Sequence, residues 1–282
     1  MAEDLLGGDE SLFASTGVLD AEYLPKLMPY REQQQKYIAE CISRLPAIGT
    51  SLFIHGPPGI GKTACVRWVL RELNEAGDGS IVPVYVNCWR DSDASRIGAS
   101  LCGRFGINTS YRGRDELFPL ALQKLRSFGS VALALDEIDR VQDAMFIYQL
   151  LEEIPHKCIF LISTSREWLA RLDNRIRSRL VPEQMEFRPY DREQTKGILE
   201  ERMRYAFVPG AWEKDAFETV VRICSEFRDI RTGLSLMRSS ALEAEKDASR
   251  KVTPVHVSRA AGKMDVDIPE EPKARNLADF GK

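Results

Sequence analysis

Residues 51–63 read SLFIHGPPGIGKT, and this stretch constrains the fold more than any other in the chain. A short apolar run, SLFIH, leads straight into Gly56-Pro57-Pro58-Gly59-Ile60-Gly61-Lys62-Thr63, which fits GxxxxGK[ST]. A helical pattern then runs from Lys62 to about Glu75. The motif needs this strand–loop–helix context to work. Glycines let successive backbone N–H groups curl around an anion, and the helix N-terminus adds its positive end. In such a nest Lys62 reaches the β- and γ-phosphates, and the Thr63 hydroxyl can ligate Mg²⁺. Ala64 supplies a further first-turn N–H without an intrahelical partner.

VALALDEID (131–139) is the complementary half. An apolar strand that ends in Asp136 and Glu137 delivers carboxylates to the C-terminal edge of a parallel sheet, beside the phosphate loop. Asp136 is the candidate Mg²⁺ holder, and Glu137 is the candidate general base that orients and polarises a water. Further strands are expected at VPVYVNC (82–88), CIFLIST (158–164) and EQMEFRP (183–189), with helices over 31–45, 115–128 and 141–153. Alternation of this kind predicts an α/β P-loop NTPase sheet with helices on both faces. After Pro189 only helical patterns follow, over 191–207, 213–226 and 229–249. The expected organisation is a flexible acidic tail (1–20) with at most a short helix near Leu12 and Phe13, an α/β domain (21–189), a helical domain (190–264) and a polar tail (265–282).

Two further features allow either a plain or a functional reading. CIFLIST is expected between the two motif strands, so Thr164 is either a polar strand end or a γ-phosphate sensor. Arg166, Arg171, Arg175, Arg177 and Arg179 crowd one stretch, opposed by Glu167 and Asp173. That cluster is either a solvated face or the carrier of an arginine finger. Composition excludes other classes. The 6 cysteines form no CxxC pair and the 3 histidines lie far apart, so neither a zinc site nor a disulfide framework is expected. A net charge of −3 argues against a broadly basic nucleic-acid binder. No apolar run approaches the roughly 20 residues that cross a bilayer, and no secretory signal is present, so a cytoplasmic protein without membrane contact is expected.

With these residues in view, the chain resembles the archaeal replication initiators of the origin-recognition-complex/cell-division-cycle type, which are AAA+ ATPases. Beyond the phosphate motifs, MPYREQQ (28–34) looks like the family's adenine-side entry, VYVNCW (84–89) like its second core strand and LDNRIRSRL (172–180) like its arginine segment. FRPYDREQ (187–194) and RYAFVPGAW (204–212) look like its lid entry. RDIRTGLSLMRSSALEAE (228–245) resembles its lid arginine helix, and VTPVHVSRA (252–260) the segment that closes the ATPase module.

The resemblance implies an AAA+ ATPase with a small helical lid that binds ATP or ADP with Mg²⁺. It places Tyr30, Arg31 and the lid-entry Tyr190 at the nucleotide, and Arg231 as the lid arginine that contacts it in cis. Arg175 matches the arginine that acts in trans, with Arg179 as second candidate, which implies self-association through this segment. Thr164 stands where the family usually has asparagine, and a hydroxyl offers one donor where an amide offers two. Slow hydrolysis is therefore expected. Arg228 stands where a glycine usually precedes the lid Asp-x-Arg step. The sequence stops about where the family's DNA-reading winged helix would begin. What remains for duplex DNA is the loop Asn108–Arg114, with Arg112 and Tyr111 at its centre, which reads equally as a plain surface loop. Few phosphate contacts imply weak, salt-sensitive binding. Three functions stay open: an initiator whose nucleotide state controls DNA or replicative-helicase binding, a partner protein that joins initiator paralogues without binding DNA, and an AAA+ regulator of another process.

Overall fold

The computed structural model describes residues 11–45, 47–77 and 79–265. The chain forms two compact units: Leu24–Pro189, and a second that joins the segment up to Tyr23 to the chain from Tyr190 onward.

The first unit is built on five parallel strands: β1 (Ser51–His55), β2 (Ile81–Asn87), β3 (Ser130–Asp136), β4 (Lys157–Ser163) and β5 (Glu183–Glu186). Their order is β2-β3-β4-β1-β5. The central strands read as unbroken apolar runs because both faces of the sheet are covered. Alternate residues divide between those faces. Val131, Leu133 and Leu135 of β3 join Phe53, Ile159 and Leu161 on one side, whereas Ala132 and Ala134 join Leu52, Ile54 and Phe160 on the other. The two alanines leave room on that second face. There α1 (Glu32–Ser43) and α2 (Lys62–Ala76) bury Ile38, Cys41, Ile42, Cys65, Val66 and Val69. Opposite them lie α3 (Ala94–Arg104), α4 (Arg114–Ser127), α5 (Met145–Glu153), α6 (Trp168–Arg171) and α7 (Asn174–Leu180).

The helix expected over 141–153 starts only at Met145, because a 3-10 turn at Ile138–Arg140 comes first. α3, α6 and α7 were not expected from periodicity. α3 carries glycines at 98 and 103, and α6 and α7 are too short to show a repeat. All six cysteines are buried and free. Among the described residues no helix is long and apolar enough to cross a membrane.

The second unit packs α8 (Arg192–Ala206), α9 (Lys214–Phe227), α10 (Ile230–Lys246) and α11 (Pro254–Lys263) around Leu199, Val220, Val221, Leu236, Met237 and Val257. One expectation is corrected here. The described part of the supposed flexible tail, residues 11–20, is docked on these helices. Leu12, Val18 and Leu19 are buried in their core, and Phe13 pairs with Phe207, ring centroids 5.1 Å apart. Ala14 N–H donates to the Ala206 carbonyl (2.9 Å), Leu12 N–H donates to Glu245 Oε1 (2.9 Å), and Arg238 pairs with Asp20 (2.5 Å). The helical turn near Leu12 and Phe13 is instead a 3-10 turn at Thr16–Leu19. The tail as a whole reads as acidic, but within 11–20 the only acid is Asp20, and burial of Leu12, Val18 and Leu19 decides the conformation. The rest of that tail (1–10) and all but Asp265 of the polar tail (265–282) lie outside the described residues.

Candidate nucleotide site

Strand order sets the site. β4 lies between β1 and β3, and all three run in the same direction. Leu135 stands opposite Leu161, so the next residue, Asp136, is level with Ile162 and, across β4, with Ile54. The phosphate-loop sequence leaves β1 two residues later, on the same sheet edge. Two strand spacings, about 10 Å, separate the β3 and β1 backbones there.

The loop has the backbone that its glycines permit. Gly56, Gly59 and Gly61 have φ of 149°, 72° and 87°. A Cβ on Gly56 would stand 2.3 Å from the Phe187 carbonyl oxygen, so no side chain fits. Gly61, in the left-handed region, caps α2 and turns the chain into the helix. Past this cap Cys65 N–H donates to the Gly61 carbonyl (2.9 Å), so the N–H groups of Lys62, Thr63 and Ala64 precede the helical ladder. Lys62 Nζ donates to the Gly56 and Pro57 carbonyls, each at 2.6 Å, and is buried against the loop. Cys65, beneath the loop, has its thiol pushed up to about 12 by burial and stays protonated. Burial lowers the pKa of His55 at the end of β1, which favours a neutral ring there.

The acidic edge is equally constrained. Asp136 is 2% exposed; its Oδ2 accepts from the Tyr85 hydroxyl (2.8 Å) and its Oδ1 from the Glu137 N–H (2.9 Å). Glu137 sits in the left-handed region (φ 52°, ψ 42°). That backbone costs a non-glycine residue on the order of 1 kcal/mol and re-aims its carboxylate off the strand direction. Thr164, the first residue after β4, donates its hydroxyl to Asp139 Oδ2 (2.8 Å). A hydroxyl has one proton, so in this arrangement Thr164 presents only lone pairs to anything else.

The remaining candidates fall into several places. Arg31 is buried, and its Nη2 donates to the Ile60 (3.0 Å) and Arg188 (2.8 Å) carbonyls. Tyr30, beside it, is exposed with φ 67°. Arg175 is exposed and grips Asp173 with Nε (3.1 Å) and Nη2 (3.2 Å), while Arg179 pairs with Glu152 and covers Tyr148. In the loop before α4, Tyr111 is 97% exposed and Arg112 pairs with Glu116 (3.0 Å). Tyr190 and Arg231 belong to the second unit. Arg231 lies in the first turn of α10 and is held on both oxygens of its N-cap, Asp229 (3.1 and 2.8 Å). Arg228, just before that cap, has φ 54°, which explains why a glycine would suit the position. Tyr85 and Asp139 were not singled out from the sequence. For Tyr85 the available signal was its place on the strand beside the acidic one; for Asp139 it was the third acid of Asp-Glu-Ile-Asp.

A family model described as an AAA domain matches residues 49–172, and one described as a Cdc6 AAA+ ATPase-type lid domain matches 196–262. ORC1-type DNA replication protein 1 of Archaeoglobus fulgidus is 33% identical over 273 residues, 91% of this chain and 67% of that protein. The chain belongs to the ORC1-type DNA replication protein family. ORC1-type DNA replication protein 2 of Methanosarcina acetivorans is 32% identical over 275 residues, 91% of this chain and 73% of that relative. The solved structure of Aeropyrum pernix ORC1 in complex with DNA superposes with a TM-score of 0.82 at 26% identity, over 91% of this chain and 71% of that one. The resemblance seen in the sequence is thus the family itself. This ORC1-type chain is an AAA+ P-loop protein of the replication-initiator class: its first unit carries the ATPase-type sheet, and the lid match falls within its second.

Proposed function

We propose that this chain is an ATP-binding switch that hydrolyses its nucleotide slowly and whose nucleotide state sets its affinity for DNA or for partner proteins. The observation that carries the proposal is the parallel order β3-β4-β1, which brings Asp136, Glu137 and Thr164 to the sheet edge from which Gly56–Thr63 departs. The glycine nest and Lys62 hold the β- and γ-phosphates. Among the described residues no three of His, Cys, Asp and Glu come together as a metal cage. The Thr63 hydroxyl and the Asp136 carboxylate are hard oxygen donors that suit Mg²⁺, which takes one or two protein oxygens and completes its shell with phosphate and water. Thr63 and Asp136 are the residues that would hold it, and it would neutralise charge on the phosphates. Glu137 orients and deprotonates the attacking water. Thr164, committed to Asp139, gives the γ-phosphate no donor, which supports slow turnover. Arg231 reads the nucleotide in cis from the lid, and Arg175 serves a neighbouring subunit.

A relative solved in complex with DNA supports duplex DNA as a ligand. Tyr111, Arg112 and Arg114 offer few phosphate contacts, so binding is weak and salt-sensitive. A second reading is favoured by the net charge of −3 and by the pairing of Arg112 with Glu116: the chain joins initiator paralogues or the replicative helicase without touching DNA. Fluorescence anisotropy of labelled duplex DNA at physiological salt, with and without ATP, separates the two. Nucleotide-dependent binding that weakens as salt is raised supports the first, and no binding in either state supports the second. Lys62→Ala, which removes the nest's cation, abolishes ATP binding under both readings. If that variant binds ATP as the parent does, both are wrong.

A further inference from the structure

We propose that Arg31 is a positioning residue for the phosphate nest, setting the direction of the Gly61 N–H; this rests on the nucleotide-binding reading above. Arg31 sits at the N-cap of α1 and is 5% exposed. Its Nη2 carries two hydrogens. One meets the Ile60 carbonyl (3.0 Å) and the other the Arg188 carbonyl (2.8 Å). The guanidinium lies over the Phe187 ring, 4.9 Å from its centroid. Planarity fixes both donor directions at once, which a lysine could not do.

The consequence follows from peptide geometry. In a trans peptide the C=O of one residue and the N–H of the next point in opposite directions. Holding the Ile60 carbonyl on the buried Arg31 side therefore turns the Gly61 N–H away from it, toward the concave face of the loop. Without that anchor the Ile60–Gly61 peptide would be free to turn about ψ of Ile60 and φ of Gly61, and Gly61, a glycine at positive φ, resists that rotation least. The Ile60 side chain is fully buried and adds a second fixed point. The wall behind the loop is pinned by the same segment. Phe187 N–H donates to the His55 carbonyl (2.8 Å), and the Phe187 carbonyl oxygen would meet any Cβ on Gly56. Arg31 thus ties three stretches together: the entry to α1, the middle of the phosphate loop, and the chain just past β5. It acts through backbone and does not itself reach the nucleotide.

The test compares ligands that share parts of ADP. Arg31→Met keeps length and apolar contact with Phe187 but removes both donors. Competition against a fluorescent ADP analogue measures affinity for ADP, pyrophosphate and adenosine in the parent and the variant, with a thermal melt to show that each is folded. The expected result is a loss of about tenfold or more for ADP and pyrophosphate, with adenosine changed by less than about twofold. An equal loss for adenosine and ADP would assign Arg31 to the adenine side and overturn the proposal, and so would unchanged pyrophosphate affinity. If Arg31→Met does not fold, Arg31→Lys replaces it, and the same selective pattern at smaller amplitude is required. A parent chain that binds none of the three ligands refutes the nucleotide reading and this proposal with it. A parent that binds ADP beside an unaffected variant refutes only the role of Arg31.

Discussion

Removing the hydroxyl of Tyr85 is a small change with a computable effect. That hydroxyl donates to Asp136 Oδ2 at 2.8 Å, and Asp136 is 2% exposed. Tyr85→Phe keeps the ring, and with it the stacking of Arg67 at 5.6 Å from the centroid. It leaves Oδ2 without that donor in a dry place, while Oδ1 keeps the Glu137 N–H. A hydrogen bond to a charged group is worth about 1.5–3 kcal/mol, and an orphaned buried acceptor costs a similar amount. In the ligand-free protein the variant should therefore melt a few degrees lower, at about 2–4 °C per kcal/mol for a chain of this size. Function should respond differently. A residue that orients a metal-binding carboxylate typically changes metal affinity by about 10- to 100-fold. The Mg²⁺ concentration that gives half-maximal ATP hydrolysis should rise by that factor, and saturating Mg²⁺-nucleotide should recover much of the lost melting temperature. Hydrolysis titrated against Mg²⁺ at fixed ATP, together with melts with and without Mg²⁺-ADP, reads both effects. A lower melting temperature with an unchanged Mg²⁺ midpoint would show that Tyr85 only packs, and would refute the assignment of Asp136 as the metal's carboxylate.

Three further predictions follow from particular side chains. Thr164→Asn supplies two donors, one for Asp139 and one for the γ-phosphate, so single-turnover hydrolysis should accelerate by about tenfold; an unchanged or slower rate removes Thr164 from the chemistry. Arg228→Gly relieves a left-handed residue (φ 54°), partly offset by the freer unfolded chain, and should raise stability by about 0.5–1 kcal/mol; a lower denaturation midpoint contradicts the backbone argument. Arg175→Ala should leave ATP affinity unchanged and abolish any rise of specific hydrolysis rate with protein concentration. If that rise persists, the trans role belongs elsewhere, with Arg179 the next to test.

The sheet and the loop were readable because they rest on local signals. SLFIH and VALALDEID are unbroken apolar runs, and runs of that kind belong to parallel strands covered on both faces. The glycines of 56–61 mark a backbone that other residues resist. The expected place of CIFLIST between the motif strands also agrees with the observed order. What could not be read is what depends on register or on backbone acceptors. The Tyr85–Asp136 bond exists because β2 pairs with β3 so that Asn87 faces Asp136. Nothing in either strand's composition announces that pairing. Arg31 binds carbonyls of residues 60 and 188, and a carbonyl leaves no mark in the sequence. The docked segment 11–20 was missed because the acids ahead of it, Glu3, Asp4, Asp9 and Glu10, made the whole tail read as solvated and hid the spacing of Leu12, Val18 and Leu19.

The central claim is that the glycine nest and the acidic edge serve one bound nucleotide, with Glu137 acting on its γ-phosphate. Glu137→Gln tests it most directly, through equilibrium binding of ATP and single-turnover hydrolysis in the same preparation. ATP affinity should stay within about threefold of the parent, and hydrolysis should slow by about 100-fold or more, the usual contribution of a general base. Hydrolysis at the parent's rate with intact binding would contradict the account.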